Sequence, residues 1–435
     1  MSYCPPPPAL LLAGIASACI AWPAAAAPAS ACTLTVASDA DIAAQKGFAG
    51  VRAGSTVCIA PGSYGQLPII GVKATPAAPV TFVVSPATGI ARFSAGVLLR
   101  ATSGVTVVGL DASRDPRAGP GATVTIDVGG RDNVVRGLTV HDGYVGISIG
   151  SSEGAAGPGN QVIDNVVRDH WNTGIAVGEL SDGTPQSPNV IARNRVSSSG
   201  GHGIEINDSN HIVVRDNVVA GSGTGVRSVR QGGYSGIHLF ASAPTTAASA
   251  HGIRTAHNVV AGNRVSGTGE RPTDQPCDDG SGSGVCADGN GIQVDRYASL
   301  NEVIGNTVVG NAGAGISVYG ATGNLIQGNV VRGNNQQVGR RKYFPGPGEI
   351  VISAVNLPSG STSGNTVVGN TATTTVYKIP AFYLSDNAGP NRIAADNVWR
   401  RAPEAGNGWL WGDVYIGTKW YPGAEAARVS ADLSR

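Results

Sequence analysis

The stretch "NEVIGNTVVGNAGAGISVYGATGNLIQGNVV" (residues 301–331) contains a pattern that repeats along most of the chain. Two asparagines stand five residues apart and enclose apolar positions, and the phrase returns after about 23 residues, as from Asn306 to Asn329. Between two asparagine phrases, a Gly-Ile pair opens a short run in which apolar residues alternate with other types. Further asparagine phrases begin at residues 160, 189 and 258, and further Gly-Ile phrases begin at residues 146, 174, 203, 236 and 291. A regular repeat of this length indicates a stack of similar coils.

Two short strands and a turn in each repeat would form one coil of a right-handed parallel β-helix. A single coil cannot bury its apolar face, so stacked coils must share a continuous core of Val, Ile and Leu. Asparagine tolerates left-handed backbone geometry, and its amide can bond the equivalent asparagine one coil above. We therefore interpret the repeated Asn and Gly residues as structural. The sequence predicts an all-β protein, a single-stranded right-handed parallel β-helix over residues 53–400.

Both ends of such a solenoid need a cover, because an open end exposes unpaired backbone. Residues 38–51 begin with Ser and Asp and then show helical apolar spacing, so residues 32–52 are predicted to form an N-terminal cap with a short helix. Residues 401–435 leave the repeat and are rich in Trp and Tyr, which predicts a C-terminal β cap or tail. A platform that stacks against sugars is the alternative for these aromatic residues.

Composition limits the possible partners. The chain has 435 residues and a formal net charge of +1, which does not favour nucleic-acid binding because that requires a clustered basic face. No stretch beyond the N-terminus is long and apolar enough to cross a membrane. Residues 1–31 hold an apolar run followed by small residues, as in an export signal, although they lack Lys and Arg. We expect an exported protein, periplasmic or secreted.

Four cysteines follow the predicted signal, and an even number in an exported chain predicts disulfides. We expect Cys32 to pair with Cys58 and Cys277 to pair with Cys286. Their spacing does not match a zinc site, since no suitable His or second Cys pair accompanies them. A lipid on Cys32 is the alternative to its disulfide.

Aligning the Gly-Ile phrases predicts which side chains stack on the outer face, with neighbouring coils about 4.8 Å apart. The position after Gly-Ile gives the ladder Ser148, Ala176, Glu205, His238, Gln293 and Ser317. Two residues further on, the ladder is Gly150, Gly178, Asn207, Phe240, Asp295 and Tyr319. The position before the Gly gives Val145, Thr173, His202, Ser235, Asn290 and Ala314. Chemically active side chains concentrate in the middle coils, where the longest insertions also lie, and this predicts a groove suited to an extended polymer.

The candidate residues follow from these ladders. The candidate catalytic residues are His202, Glu205, His238, Tyr234, Asp208 and Glu179. The candidate substrate-binding residues are Asn207, Arg230, Asp295, Arg296, Trp171 and Tyr319. Glu179 and Asp208 align one coil apart and could share a cation such as Ca²⁺, because like charges at that distance raise a pKa or attract a cation. No other cofactor is indicated.

The repeat phrases and the opening "AGSTVCIAPGSYG" (residues 53–65) resemble the right-handed parallel β-helix superfamily, which includes pectate-lyase-like enzymes, alginate lyases and mannuronan C5-epimerases. The resemblance covers roughly residues 50–400. Polygalacturonases share the fold and a Gly-His-Gly phrase, present in this chain at residues 201–203, but their Asn-Thr-Asp and Asp-Asp segments are missing at the corresponding places. The Asp-Pro-His-Asp motif of the epimerases is also absent. The resemblance implies the fold and leaves the activity to be argued from the site.

A lyase or epimerase acting on an acidic polysaccharide needs a base, a group that neutralises the uronate carboxylate, and an acid. His202 or His238 could be the base, Tyr234 the acid, and Arg230, Arg296 or a bound cation the neutralising group. The first alternative is a glycoside hydrolase or intramolecular transglycosylase that uses a carboxylate pair. The second alternative is a polysaccharide-binding or surface protein without activity. The sequence leaves the oligomeric state open, although β-helices can pack as trimers.

Overall fold

The computed structural model describes residues 31–178, 180–224, 234–243, 255–269, 289–336, 346–405 and 413–421. Over these residues the chain winds through three parallel sheets, named sheets A, B and C. Each strand pairs with the equivalent strand one coil before and one coil after it, as β-helix stacking requires. The predicted β-helix is confirmed.

Within each sheet, the order of the strands in space follows the order of the coils. Sheet A contains β1 (Leu34–Val36), β2 (Thr56–Ile59), β5 (Val80–Val84), β8 (Val105–Val108), β11 (Val134–Arg136), β14 (Gln161–Ile163), β17 (Asn189–Ala192), β20 (Ile212–Arg215), β23 (Val259–Ala261), β26 (Glu302–Ile304), β29 (Leu325–Gln327), β32 (Thr366–Val368) and β35 (Arg392–Ile393). Sheet B contains β3 (Gly62–Tyr64), β6 (Ala91–Phe93), β9 (Asp111–Ser113), β12 (Thr139–His141), β15 (Val166–Arg168), β18 (Arg195–Ser197), β21 (Val218–Ala220), β24 (Arg264–Ser266), β27 (Thr307–Val309), β30 (Val330–Arg332), β33 (Thr371–Thr374) and β36 (Val398–Arg401). Sheet C contains β4 (Leu67–Ile70), β7 (Val97–Arg100), β10 (Ala122–Asp127), β13 (Val145–Ile149), β16 (Ile175–Val177), β19 (Ile204–Asn207), β22 (Ser235–Phe240), β25 (Asn290–Val294), β28 (Ile316–Tyr319), β31 (Ile350–Ser353), β34 (Phe382–Leu384), β37 (Val414–Ile416) and β38 (Lys419–Tyr421).

From β2 to β37, each described coil therefore has three strands, and the expectation of two per repeat was wrong. The asparagine phrase holds two strands, because the chain turns in its middle. In residues 301–308 the turn lies between β26 and β27 at Gly305, whose φ of 62° is left-handed and suits glycine. The Gly-Ile phrase supplies the third strand.

The interior combines an aliphatic core with rows of asparagine. Inward residues of all three sheets, such as Val260, Ile292 and Val308, are fully buried in one cluster. The longest asparagine row is Asn165, Asn194, Asn217, Asn263, Asn306, Asn329, Asn370 and Asn397, in which each backbone N–H donates to the side-chain oxygen of the next. The structural interpretation of these residues is confirmed.

The glycine of the Gly-Ile phrase is also structural. A Cβ added at Gly236 would lie 2.2 Å from Cγ1 of Val265 and 2.7 Å from the carbonyl oxygen of Gly291. Those distances are far below van der Waals contact, so only glycine fits there.

At both ends of the solenoid, as far as the structure describes them, a capping element follows the last coil: a helix at the N-terminal end and an antiparallel strand pair at the C-terminal end. The predicted N-terminal helix is α1 (Asp39–Ala44), and the side chain of its N-cap, Ser38, accepts from the backbone N–H of Asp41. Short 3₁₀ helices occupy Lys46–Phe48, Pro116–Ala118 and Pro403–Ala405. At the other end, β38 pairs antiparallel with β37, which continues sheet C.

The disulfide between Cys32 and Cys58 is present and ties β2 to the residue that precedes β1 by two positions. Cys277 and Cys286 lie outside the described residues, as does the expected export signal, so both remain predictions. Within the described part of the chain, none of the helices has the length and hydropathy needed to span a bilayer.

Candidate functional site

The outer face of sheet C carries the predicted ladder in the predicted register. Its Cα partners run from Ser148 through Ala176, Glu205, His238 and Gln293 to Ser317. Asn207 likewise pairs with Phe240, as expected. Glu205 and His238 are therefore direct neighbours on adjacent strands, β19 and β22.

The imidazole of His238 lies between two carboxylates. Its Nε2 is 3.3 Å from Oδ2 of Asp295, and its Nδ1 is 3.9 Å from Oε1 of Glu205. Glu205 also accepts a hydrogen bond of 3.2 Å from Oγ1 of Thr173 through its other oxygen. His238 is only 7% exposed, and within the described residues its Nδ1 has no hydrogen-bond partner.

These surroundings make His238 a cation. Burial alone would lower its pKa, but Asp295 and Glu205 outweigh burial and raise the pKa of His238 to about 9. Burial opposes ionisation of the carboxyls as well, yet the adjacent imidazoles hold the pKa of Glu205 at about 2 and lower the pKa of Asp295. The three groups form one compact ionic cluster.

His202 is the neutral counterpart. Its ring stacks on His238 with centroids 4.3 Å apart and planes 10° apart. The backbone N–H of Ser235 donates to His202 Nδ1 at 3.0 Å. Burial, assisted by the charge on His238, lowers the pKa of His202 to about 4. Because Nδ1 accepts a hydrogen bond, the proton of the neutral ring resides on Nε2.

Three polar residues of sheet C, namely Ser235, Asn290 and Gln293, were not among the candidate residues predicted from the sequence. Ser235 Oγ donates to Oε1 of Gln293 at 2.8 Å, and Asn290 Nδ2 donates to the same oxygen at 3.1 Å. All three belong to the outward ladders, and this was the signal that could have identified them. These hydrogen bonds hold the start of β22 in place, where the backbone N–H of Ser235 donates to His202.

The structure brings most of the candidate residues to one place. The ring of Tyr234, a buried residue, meets the ring of His202 edge-on at 5.9 Å. Arg296 is half exposed, with its Nε 3.9 Å from Oδ1 of Asp295. Asn207 ends β19, and within the described residues its buried Oδ1 has no hydrogen-bond partner.

Other candidates have contacts elsewhere. Both carboxylate oxygens of Asp208 accept from Ser242, from its N–H at 2.9 Å and from its hydroxyl, in a turn where Asp208 has a φ of 47°. Tyr319 is buried and its hydroxyl donates to the carbonyl of Val355 at 2.9 Å. Trp171 is partly buried, and its backbone N–H donates to the carbonyl of Gly143. Glu179 and Arg230 lie outside the described residues.

Comparison with known families agrees with this architecture. A model described as "Right handed beta helix region" matches residues 187–389. The chain has the right-handed parallel β-helix fold that this description names. A second model, "Periplasmic copper-binding protein (NosD)", matches residues 81–270 of this β-helix protein. No curated protein sequence matches this chain.

Solved structures of other β-helix proteins are similar in fold. The A-module of the Azotobacter vinelandii mannuronan C-5 epimerase AlgE4 is 14% identical, with a TM-score of 0.53 over 88% of this chain and 94% of that one. The Dettilon tailspike protein (gp208) is 14% identical, with a TM-score of 0.51 over 87% of this chain and 64% of that one. The receptor-binding domain of the Siphovirus 9NA tailspike is 10% identical, with a TM-score of 0.50 over 89% and 70%. At these identities the likeness shows the fold alone.

The second family model raises the question of a copper ion. His202, Glu205 and His238 offer donor atoms that all lie within 4.8 Å of one another, and imidazole is a suitable copper ligand. The lone pair of His202 Nδ1 is already used by the Ser235 N–H, and the proton on Nε2 blocks the other nitrogen. His238 Nε2 faces Asp295, so only His238 Nδ1 and Glu205 remain as donors. As arranged, this donor set does not fit a copper ion.

Proposed function

We propose that this exported β-helix protein is a carbohydrate-active enzyme that abstracts the C5 proton of a uronic-acid residue in an acidic polysaccharide, as a lyase or a C5-epimerase. One observation carries the proposal, namely two stacked histidines whose surroundings drive their pKa values in opposite directions. Paired titratable groups with separated pKa values are typical of acid–base catalysis. The AlgE4 module of similar fold belongs to a mannuronan C-5 epimerase, which suggests uronate polymers as the first substrates to test.

His238 is the base in this proposal. Its flanking carboxylates, Glu205 and Asp295, strengthen its basicity, which favours removal of a proton from carbon. In the resting protein the ring holds a proton, which it must first lose to solvent. The rate is therefore expected to rise with pH until the pH exceeds the His238 pKa of about 9.

The reaction requires two further groups. When His238 takes the C5 proton, the C–H electron pair moves toward the carboxylate. In a lyase this pair then forms the C4–C5 double bond, the C4–O4 bond breaks, and O4 receives a proton; in an epimerase C5 receives a proton on its opposite face. Tyr234, beside His202, is the proposed acid. Arg296 at the exposed edge is the proposed partner for substrate carboxylates, with Arg230 and a cation held by Glu179 and Asp208 as the other candidates.

Asn207 is a proposed substrate contact, since its buried Oδ1 can accept from a sugar hydroxyl. Trp171 and Tyr319 are proposed to shape the groove rather than to react, because Tyr319 already uses its hydroxyl on Val355.

The test is solvent-deuterium incorporation. The purified protein is incubated in D₂O with alginate, polymannuronate and polygalacturonate, and deuterium at C5 is measured by NMR while near-ultraviolet absorbance reports the unsaturated product. Wild type is expected to remove C5 protons from one polymer, seen as deuterium at C5 or as rising absorbance. His238→Gln should lose at least about a hundredfold in rate, whereas His257→Gln, at an exposed histidine outside the cluster, should not change it.

The other outcomes separate the alternatives. Rising absorbance identifies a lyase, whose product has a C4–C5 double bond and therefore no hydrogen at C5, and deuterium at C5 without absorbance identifies an epimerase. New reducing ends with neither deuterium nor absorbance would replace the proposal by hydrolysis on a carboxylate pair. A polymer that binds but stays unchanged would indicate a binding protein.

A further inference from the structure

The tautomer of His202 determines what that residue can do, and the inference drawn from it rests on the proposed function. A neutral imidazole has one N–H and one lone pair. The Ser235 N–H points at His202 Nδ1 from 3.0 Å, so the lone pair is engaged and the N–H is at Nε2. A base needs a free lone pair, and His202 has none in this arrangement.

His170 shows what a purely structural histidine looks like in the same protein. Its Nδ1 also accepts a backbone N–H, from Gly143 at 3.1 Å, and its pKa is likewise lowered to about 4 by burial. The Nε2 of His170, however, is 3.3 Å from the carbonyl oxygen of Val140, so both ring nitrogens are satisfied. Nothing in the described part of the chain accepts from Nε2 of His202. Among the described residues, then, the N–H of His202 has no acceptor, which distinguishes it from His170.

The neighbours of that N–H define the ligand. The imidazole of His202 borders the cluster of Glu205, His238 and Asp295, since one of its nitrogens lies within 4.8 Å of donor atoms of Glu205 and His238, and Tyr234 packs against the same ring. The proposed base is 4.3 Å away, ring to ring, so both rings can contact one sugar residue. A cationic donor at this distance would lower the basicity of His238, whereas a neutral donor leaves it intact.

We propose that His202 is a neutral hydrogen-bond donor whose Nε2–H binds a carboxylate oxygen of the uronate and stabilises the negative charge that develops there as His238 removes the C5 proton. His202 is thus a catalytic residue without being the base. Ser235 is a positioning residue, since its N–H selects the tautomer, and Gln293 and Asn290 hold Ser235 in place. Preorganised donors of this kind act on charge that appears only in the transition state.

Two substitutions distinguish a donor from a base. In His202→Gln the side-chain amide can place an N–H near the position of Nε2 but cannot take up a proton, and in His202→Leu both functions are lost. A donor role predicts that the rate of C5 proton removal falls about 10²- to 10³-fold in the Leu variant and about tenfold or less in the Gln variant. Equal losses in both variants would overturn the proposal. Thermal unfolding of each variant verifies that it is folded.

A second measurement does not depend on activity. In ¹⁵N-histidine-labelled wild type at neutral pH, His202 Nδ1 should give the signal of a hydrogen-bonded acceptor nitrogen and Nε2 that of an N–H. Acetate, used as a carboxylate probe, should shift the Nε2–H resonance, while chloride at equal ionic strength should not. A proton on Nδ1, or no response to acetate, would refute the donor role. Confirmed acetate binding with neither C5 deuterium nor new absorbance on any polymer would instead keep the carboxylate site and reject the proposed reaction.

Discussion

His202 and His238 stack with their ring centroids 4.3 Å apart, yet one is held neutral and the other charged. Burial opposes protonation of both rings, and only at His238 do the adjacent carboxylates outweigh it. A backbone N–H from Ser235 meets His202, and carboxylates meet His238 on both sides. Two adjacent cations would repel each other, so protonation of one ring reinforces neutrality of the other.

Replacing Asp295 by Asn should shift the pH dependence of the reaction. The carboxylate of Asp295 is one of the two groups that raise the pKa of His238 to about 9, so Asp295→Asn lowers that pKa. The rate of C5 proton removal, measured as deuterium or absorbance, should then level off at a lower pH, and the limiting rate should fall because the base is weaker. Asp216→Asn, which removes an exposed carboxylate paired with Arg215, is the control and should leave the profile unchanged. An identical profile in Asp295→Asn would mean that His238 is not the base.

The buried neutral histidines should make the protein sensitive to acid. His170 has a folded pKa of about 4, below its ordinary 6.5, so its contribution to stability is complete above pH 6.5 and is lost as the pH falls through about 4. The expected loss is about 3 kcal/mol. In His170→Asn the side-chain oxygen can still accept from Gly143 without titrating, so the fall in urea midpoint between pH 6.5 and 4 should be smaller than in wild type. His257→Asn, at an exposed position, should keep the wild-type slope. Parallel slopes for wild type and His170→Asn would show that this ring is not the acid-sensitive group.

The fold could be predicted from the sequence because it is repetitive. Each Gly-Ile phrase fixes a register, and one register error would have displaced every later coil, so Glu205 and His238 could be placed side by side from the alignment alone. The middle turn of the asparagine phrase was missed, since the left-handed conformation at Gly305 is a backbone property that a strand pattern does not reveal.

The sequence predicted which residues form the site, but it did not predict their protonation states or hydrogen bonds. His202, Glu205, His238 and Asp295 were candidates because they share outward ladders. The protonation of the two histidines could not be predicted, because it depends on how far each ring is buried, and the tautomer of His202 depends on the direction of one N–H at Ser235. The attachment of Asp208 to Ser242 likewise depends on a turn outside the repeat.

Removal of one asparagine from the interior row should destabilise the whole coil. Asn329 donates to the side chain of Asn370 and to the carbonyl of Val303, and it accepts from Asn306. Asn329→Ala leaves several buried groups without partners, at about 1–3 kcal/mol each, and should lower the free energy of unfolding by at least about 3 kcal/mol. Val330→Ala, at a neighbouring side chain that is 48% exposed, is the matched control and should cost less than about 1 kcal/mol. A urea titration that gives similar losses for both variants would show that the asparagine row contributes little.

Glu349 ends a second interior row and should weaken the protein at alkaline pH. It is fully buried and accepts from the backbone and side-chain amides of Asn334, while burial raises its pKa to about 7. A folded pKa above the ordinary 4.5 means that the contribution to stability is complete below pH 4.5 and is lost as the pH rises through about 7. In Glu349→Gln the amide oxygen still accepts from Asn334 but cannot ionise. Relative to wild type, this variant should therefore gain about 3 kcal/mol between pH 5 and 8, measured by urea unfolding at each pH. Glu153→Gln, at an exposed carboxylate, should show no such gain. If the stability difference between Glu349→Gln and wild type is independent of pH, Glu349 does not change its charge over this range.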